Sequence, residues 1–208
     1  MLTASILHNL MELDRRLLVW LNSFHTSWLD PVVYYTSQTL FWLPLYFFLV
    51  WLIIKDFRKE WWIPIIGIVV TILIADQVTA SIMKPFFARL RPSQEPALQG
   101  IIHLVKDPNG EIYTGGLYGF ASSHAANTFG TATFFTLLFR SRHRWIGWLF
   151  LWAVLMTYTR IYLGVHYPGD IAVGTIVGVT GGLVGISVYK WIRRKVDQGS
   201  GDASRISQ

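Results

Sequence analysis

Five long stretches of this chain are almost free of charge. Pro31 to Ile54 and Ile171 to Tyr189 carry none, Trp61 to Met83 carries only Asp76, Phe120 to Phe139 only His124, and Trp145 to Leu163 only Arg160. A helix needs ~20 mostly apolar residues to cross the hydrocarbon core of a bilayer. Inside that core each backbone N–H and C=O must be bonded within its own segment, which makes helices of such runs. Only 14% of the residues are charged, against ~25% in an ordinary soluble domain. An integral membrane protein of one domain is therefore expected, an all-α bundle of five transmembrane helices. The net charge of +6 does not indicate nucleic-acid binding, because the basic residues cluster beside the apolar runs, where orientation signals belong. With no cysteine in the chain, disulfides and thiolate metal sites are excluded.

The N-terminal segment reads differently. Leu7, Leu10, Leu13, Leu17, Trp20 and Leu21 recur at helical spacing, but Glu12, Asp14, Arg15 and Arg16 interrupt the middle. Four charges at mid-depth are costly, so this helix is expected to lie in the membrane interface, a sixth helix that does not span. The competing reading is a sixth span.

Lys and Arg in short connections set orientation. Lys55, Arg58 and Lys59 follow the first run, Arg140, Arg142 and Arg144 follow the third, and Lys190, Arg193, Arg194 and Lys195 follow the fifth. With five spans these clusters share one face, expected to be cytoplasmic. Lys84 to Gly119 and Gly164 to Asp170 then fall on the outer face. In the longer loop, Asp107-Pro108-Asn109-Gly110 is a turn signal between Ile101–Val105 and Glu111–Thr114, so a small outward hairpin is expected. Residues 1–197 are read as the single domain, and the polar residues 198–208 as a disordered tail.

Three polar stretches fall at the outer ends of these spans: Lys84-x6-Arg91-Pro92, Ser122-Ser123-His124 and Arg160-x5-His166-x3-Asp170. Pro85 should end the second span near Lys84. Lys84 and Arg91, with Arg89 between them, suit a phosphate, since guanidinium groups bind its oxygens bidentately; snorkelling interfacial cations are the plain alternative. Ser122 and Ser123 open the third span, where a helix N-terminus offers free N–H groups to an anion, or where a serine simply caps the helix. Pro168-Gly169 is expected to turn the chain so that Asp170 fixes the His166 ring through one nitrogen and leaves the other free, the logic of an oriented nucleophile. The plain alternative is an Asp N-cap beside an unrelated His. His124, His166 and Asp170 also have the chemistry of a metal-ligand set. Convergence of Lys84, Arg91 and Arg160 on the same place disfavours a divalent ion, so no metal and no cofactor are expected. Asp76 is read as structural, and the glycines of the fifth run as a packing face within the bundle.

In this order and spacing, the stretches resemble the signature of the type 2 phosphatidic acid phosphatase superfamily, K-x6-R-P, P-S-G-H and S-R-x5-H-x3-D. The resemblance covers Asp76 to Asp170. Ala121 and Ser123 replace the Pro and Gly of the second motif, and Thr159 replaces the Ser of the third. It implies metal-free hydrolysis of a membrane lipid phosphate through a phosphohistidine. His166 would attack phosphorus, Asp170 would orient it and His124 would protonate the leaving oxygen. Lys84, Arg91, Arg160, Ser122 and Ser123 would hold the phosphate. The expected setting is a bacterial plasma membrane with the site facing the periplasm or exterior. Polyprenyl (undecaprenyl) diphosphate, phosphatidylglycerol phosphate and phosphatidic acid are the leading substrates; a lipid A phosphatase is the rival enzyme, and a non-hydrolytic anion-binding protein or transporter the rival of another class.

Overall fold

The computed structural model describes the backbone of residues 2–206 and the side chains of residues 5–199. It is an all-α bundle. In chain order the helices are α1 (Leu2–Asn22), α2 (Leu29–Thr36), α3 (Leu43–Phe57), α4 (Trp62–Asp76), α5 (Lys84–Phe87), α6 (Ser123–Phe139), α7 (Leu149–Tyr162) and α8 (Pro168–Ile206). A 3-10 turn, Thr39–Trp42, leads into α3, and a π-helical turn, Gln77–Met83, joins α4 to α5. Three helical stretches, Thr39–Glu60, Trp62–Phe87 and Pro168–Gly199, are long and apolar enough to cross a membrane. The shorter α6 and α7 are the most enclosed helices. Residues from Ala125 to Phe139 of α6 and from Leu149 to Tyr162 of α7 form much of the core with Leu49, Leu52 and Ile53 of α3. Outside that core, Phe47, Leu73, Leu155 and Ile176 are exposed, as expected of side chains that face acyl tails.

Three expectations change in detail. The first run is not one helix from Pro31 to Ile54: α2 stops at Thr36, and Gln38 is extended with ψ 136°. Thr36 and Ser37 turn their hydroxyls back onto the carbonyls of Val32 and Tyr34, both at 2.7 Å, and Trp42 Nε1 donates to Thr36 O at 2.7 Å. Such side-chain bonds compete with the helical ladder. The crossing helix starts instead at Thr39. The loop between α5 and α6 makes a narrow turn rather than a paired hairpin. Asp107 N donates to Glu111 O at 2.7 Å and Tyr113 N to Val105 O at 2.9 Å, around a single Lys106–Ile112 bridge. Finally, α8 runs on through Ile206, across most of the stretch expected to be a disordered tail. A formed helix adds one hydrogen bond for each residue it fixes, so polar residues can prolong it; residues 207 and 208 lie outside the described ones.

Glycines let α8 sit against its neighbours. A Cβ at Gly174 or Gly178 would strike the carbonyls of Ser122 or Ala126 on α6, and one at Gly185 would strike Thr71 and Gly67 on α4. This face packs within the bundle, as small-residue spacing at four allows. The bundle has two chemically distinct ends. At one, Arg193 pairs with Glu60, and His143 Nε2 lies 2.8 Å from Asp56 Oδ2. The three motifs meet at the other end. There α1 lies across the bundle: Arg15 donates to Ala97 O at 2.7 Å, and Asn22 Nδ2 to Tyr162 O at 2.8 Å. Its opposite face, with Leu7, Leu10, Leu13, Leu17 and Trp20, is exposed.

Candidate active site

The third motif is shaped by how α7 ends. Gly164 takes φ +67°, Gly164 N donates to Ile161 O at 2.9 Å, and Val165 N donates to Arg160 O at 3.0 Å. This is a Schellman cap, which needs a left-handed residue where glycine stands. It reverses the chain within the five residues between Arg160 and His166. Pro168 then opens α8; it makes no turn of its own with Gly169, contrary to expectation, because proline suits the first helical position. Asp170 sits two residues later, and its Oδ2 accepts Tyr167 N–H at 3.0 Å. That is the carboxylate half of a capping box. The same Oδ2 lies 3.4 Å from His166 Nδ1, so capping and contact with the histidine are combined in one side chain.

His166 and Asp170 are buried. Arg91 Nη1 lies 3.2 Å from His166 Nε2. A guanidinium has donors only, so Nε2 must be the bare nitrogen and Nδ1 must carry the proton toward Asp170. Burial, then the charges of Arg91, Arg160 and Lys84, push His166 well below the usual imidazole range, against a smaller opposing effect of the Gly119 backbone. The ring is therefore neutral near pH 7, with its lone pair turned toward the cations.

Motif one reaches this point by a phase change in the helix. The π turn Gln77–Met83 inserts extra residues per turn just before Lys84, and Lys84 Nζ donates to Ser123 Oγ at 2.8 Å. Thr79 Oγ1 donates to the same Ser123 oxygen at 2.9 Å. Beyond α5 the chain is extended: Arg91 N bonds Leu117 O and Gly119 N bonds Arg89 O. Arg91 also donates to Tyr118 O and Val165 O. Ser122 is fully buried and caps α6, its Oγ accepting from Ala125 N at 3.4 Å. The next two backbone N–H groups, of Ser123 and His124, have no partner among the described residues. The His124 ring lies within electrostatic reach of Arg160, His166, Arg91 and Lys84.

Arg160 is only 2% exposed. Nη2 donates to Tyr113 Oη at 3.1 Å, while Nε and Nη1 are buried without a partner. Buried donors are nearly always bonded, so two orphans on one guanidinium mark a place for an absent acceptor. Among the described residues, no three His, Asp or Glu side chains stand together as a metal-ligand set. All eight residues singled out from the sequence thus gather at one end. Ser122 is turned to the cap, and Ser123 to Lys84. Sequence reasoning gave Arg89 no partner and passed over Asp14, Tyr113 and Tyr167. Arg89 bonds both Asp14 and Asp170, and its guanidinium carbon lies 3.8 Å from the Tyr167 ring centroid. Its position two residues before Arg91 was the available signal.

A helical membrane bundle that brings Lys84, Arg91 and Arg160 to one end, around the buried His166, has the layout expected of a membrane phosphatase. The profile of the PAP2 superfamily matches residues 65–195. The lipid A 4'-phosphatase of Bacteroides thetaiotaomicron is 38% identical over 176 residues, covering 83% of this chain and 75% of that protein. The lipid A 4'-phosphatase of Porphyromonas gingivalis is 37% identical over 183 residues, covering 87% and 73%. A transmembrane PAP2 type phosphatidylglycerolphosphate phosphatase from Bacillus subtilis has the same fold, with a TM-score of 0.65 at 19% identity, covering 90% of this chain and 88% of that one. The chain belongs to the PAP2 superfamily and is a lipid phosphatase.

Proposed function

We propose that this protein removes a phosphate from lipid A at the outer face of a bacterial inner membrane, through a phosphohistidine on His166. The catalytic reading is carried by two features found together at this end of the bundle, a buried His166 Nε2 that faces Arg91 at 3.2 Å and two unmet donors on the buried Arg160. In the proposed reaction, Nε2 attacks phosphorus, the bond from phosphorus to the lipid oxygen breaks, and His124 gives that oxygen its proton. Water then attacks the phosphohistidine, with His124 taking the water's proton, and inorganic phosphate leaves. Asp170 keeps the ring in the Nδ1–H tautomer and faces the positive charge that develops on it. Lys84, Arg91, Arg160 and the free N–H groups of Ser123 and His124 meet the charge spread over the transferring oxygens. No step needs a metal.

For the substrate, the sequence alone favoured polyprenyl diphosphate, phosphatidylglycerol phosphate or phosphatidic acid, with lipid A as the alternative. The two relatives above, 38% and 37% identical over most of the chain, favour lipid A and its 4'-phosphate. The test is phosphate release by purified protein from lipid A, undecaprenyl diphosphate, phosphatidylglycerol phosphate and phosphatidic acid, each with and without EDTA. Lipid A should give the highest kcat/KM and a product lighter by one phosphate in mass spectra, unaffected by EDTA. Preference for another lipid overturns the substrate, and loss on chelation restored by a divalent ion overturns the metal-free step.

A further inference from the structure

The amphipathic helix α1 contributes one partly enclosed acidic group, Asp14, to the site end, and that group is bonded to the same elements that hold the proposed catalytic pair. Asp14 Oδ2 accepts Arg89 Nη2 at 2.7 Å, and Asp14 Oδ1 accepts Gly169 N at 2.7 Å. Through its other nitrogen, Arg89 Nη1 donates to Asp170 Oδ1 at 2.9 Å. The Asp14 side chain is 14% exposed, that of Arg89 21%, and that of Asp170 0%. The fit is close on the α8 side too: a Cβ at Gly169 would lie 2.8 Å from Asp14 Oδ2. Below the guanidinium, the Tyr167 ring closes the remaining face.

We infer that Asp14 is a positioning residue for the reaction proposed above, acting through Arg89 on Asp170 and so on His166. The inference rests on that reading of the dyad. Asp170 has two oxygens. One is shared by Tyr167 N and His166 Nδ1, and the other is held by Arg89. Which way the carboxylate faces is therefore fixed by where Arg89 stands, and Arg89 is fixed by Asp14. Without Asp14, the Gly169 N–H in the first turn of α8 also loses its acceptor, and the arginine is left bonded to Asp170 alone. The guanidinium can then draw Asp170 away from an already long 3.4 Å contact with His166. None of the phosphate-facing donors touches Asp14, so phosphate binding is separate from this effect.

The experiment compares wild type, Asp14→Asn, Asp170→Asn, the double variant and Glu12→Gln in lipid A turnover and in vanadate inhibition. Glu12 is on the same helix and, among the described residues, pairs with Arg16 alone, so its variant controls for disturbance of α1. Asp14→Asn should lower kcat on the order of 10- to 100-fold, as a slight displacement of a reacting group does. KM and the vanadate inhibition constant should hold within about two-fold, showing an intact pocket, well inside one factor of ten in binding. In the Asp170→Asn background, Asp14→Asn should cost little further, because its route of action is already cut. An equal loss in both backgrounds, a loss carried by KM and vanadate, or no loss at all overturns the positioning role. Near-normal turnover by Asp170→Asn would instead overturn the dyad, a result distinguishable from failure of Asp14 alone.

Discussion

Arg160 offers the sharpest test of the pocket, because its cost and its use can be measured separately. Replace it with methionine, which is apolar and of comparable reach. No protein group among the described residues meets the buried Nε and Nη1 of Arg160, and an orphan donor costs ~1–3 kcal/mol. Its bond to Tyr113 Oη at 3.1 Å returns ~1.5–3 kcal/mol, the range for a bond to a charged group. The balance puts Arg160→Met between about 1 kcal/mol less stable and about 4 kcal/mol more stable than wild type, most of the range being a gain. At ~2–4 °C per kcal/mol for a chain of this size, the variant should melt no more than a few degrees below the wild-type temperature and, over most of that range, above it.

Activity should move the other way. Removing one charge-stabilising donor from a phosphoryl-transfer site costs on the order of 10²–10³ in kcat. A third measurement ties the two together. Vanadate at ~100 times its dissociation constant should stabilise wild type by about 2.7 kcal/mol, and this gain should shrink sharply in Arg160→Met. Melting curves in detergent with and without vanadate, plus lipid A turnover, supply all three. If Arg160→Met melts lower by the equivalent of ~3–5 kcal/mol, the cost of breaking a satisfied buried pair, Arg160 is a structural cation and the pocket argument fails.

Three further outcomes follow from the geometry. His166→Ala should abolish turnover in a folded protein, and rapid quenching of wild type with labelled substrate should trap an acid-labile phosphohistidine that the variant lacks. Because His166 is pushed well below the imidazole range, it stays neutral as pH falls past ~6.5, so the acid limb of kcat/KM should not begin there; the unfolded chain binds that proton first, so this group lowers stability as pH drops below ~6.5. In intact cells a cysteine at Asn109 should react with an impermeant thiol reagent and one at Ser141 should not, since the two exposed positions lie at opposite ends of the bundle; the reverse pattern would invert the topology.

The parts of the fold that depend on solvent were legible in the sequence. Runs almost free of charge marked α3, α4, α6, α7 and α8, since the bilayer penalises charge wherever it falls in a span. Arg160, His166 and Asp170 were legible as a unit because their spacing is local: one Schellman turn and one helical first turn connect them. What stayed hidden depends on tertiary partners. Nothing in Thr36-Ser37-Gln38 forbids a helix; the break rests on Trp42 folding back onto Thr36 O. The π turn before Lys84 contains no glycine or proline, so no local residue announces it. Asp14 looked like one of four charges spoiling an amphipathic pattern, and its partners, Arg89 and Gly169, lie 75 and 155 residues away.

The positions of the charges also bear on how the protein enters the membrane. On the proposed orientation, a site with several cations at the outward end conflicts with the tendency of Lys and Arg in short loops to stay cytoplasmic. The structure reduces that conflict by pairing or enclosing most cations at the site end. Arg89 is held between Asp14 and Asp170, Arg16 pairs with Glu12, and Arg91 and Arg160 are buried. Acidic residues at that end are about as numerous as basic ones, with Asp30, Glu95, Asp107 and Glu111 in the segments at that end. At the other end Lys and Arg outnumber Asp and Glu, and Lys55, Arg58, Lys59, Arg140 and Arg144 stand beside the span ends without an acidic partner among the described residues. On that reading the orientation signal comes from cations outside the proposed site. The cations assigned to the phosphate sit within the bundle or beside carboxylates, where the bulk potential across the membrane is least affected by them.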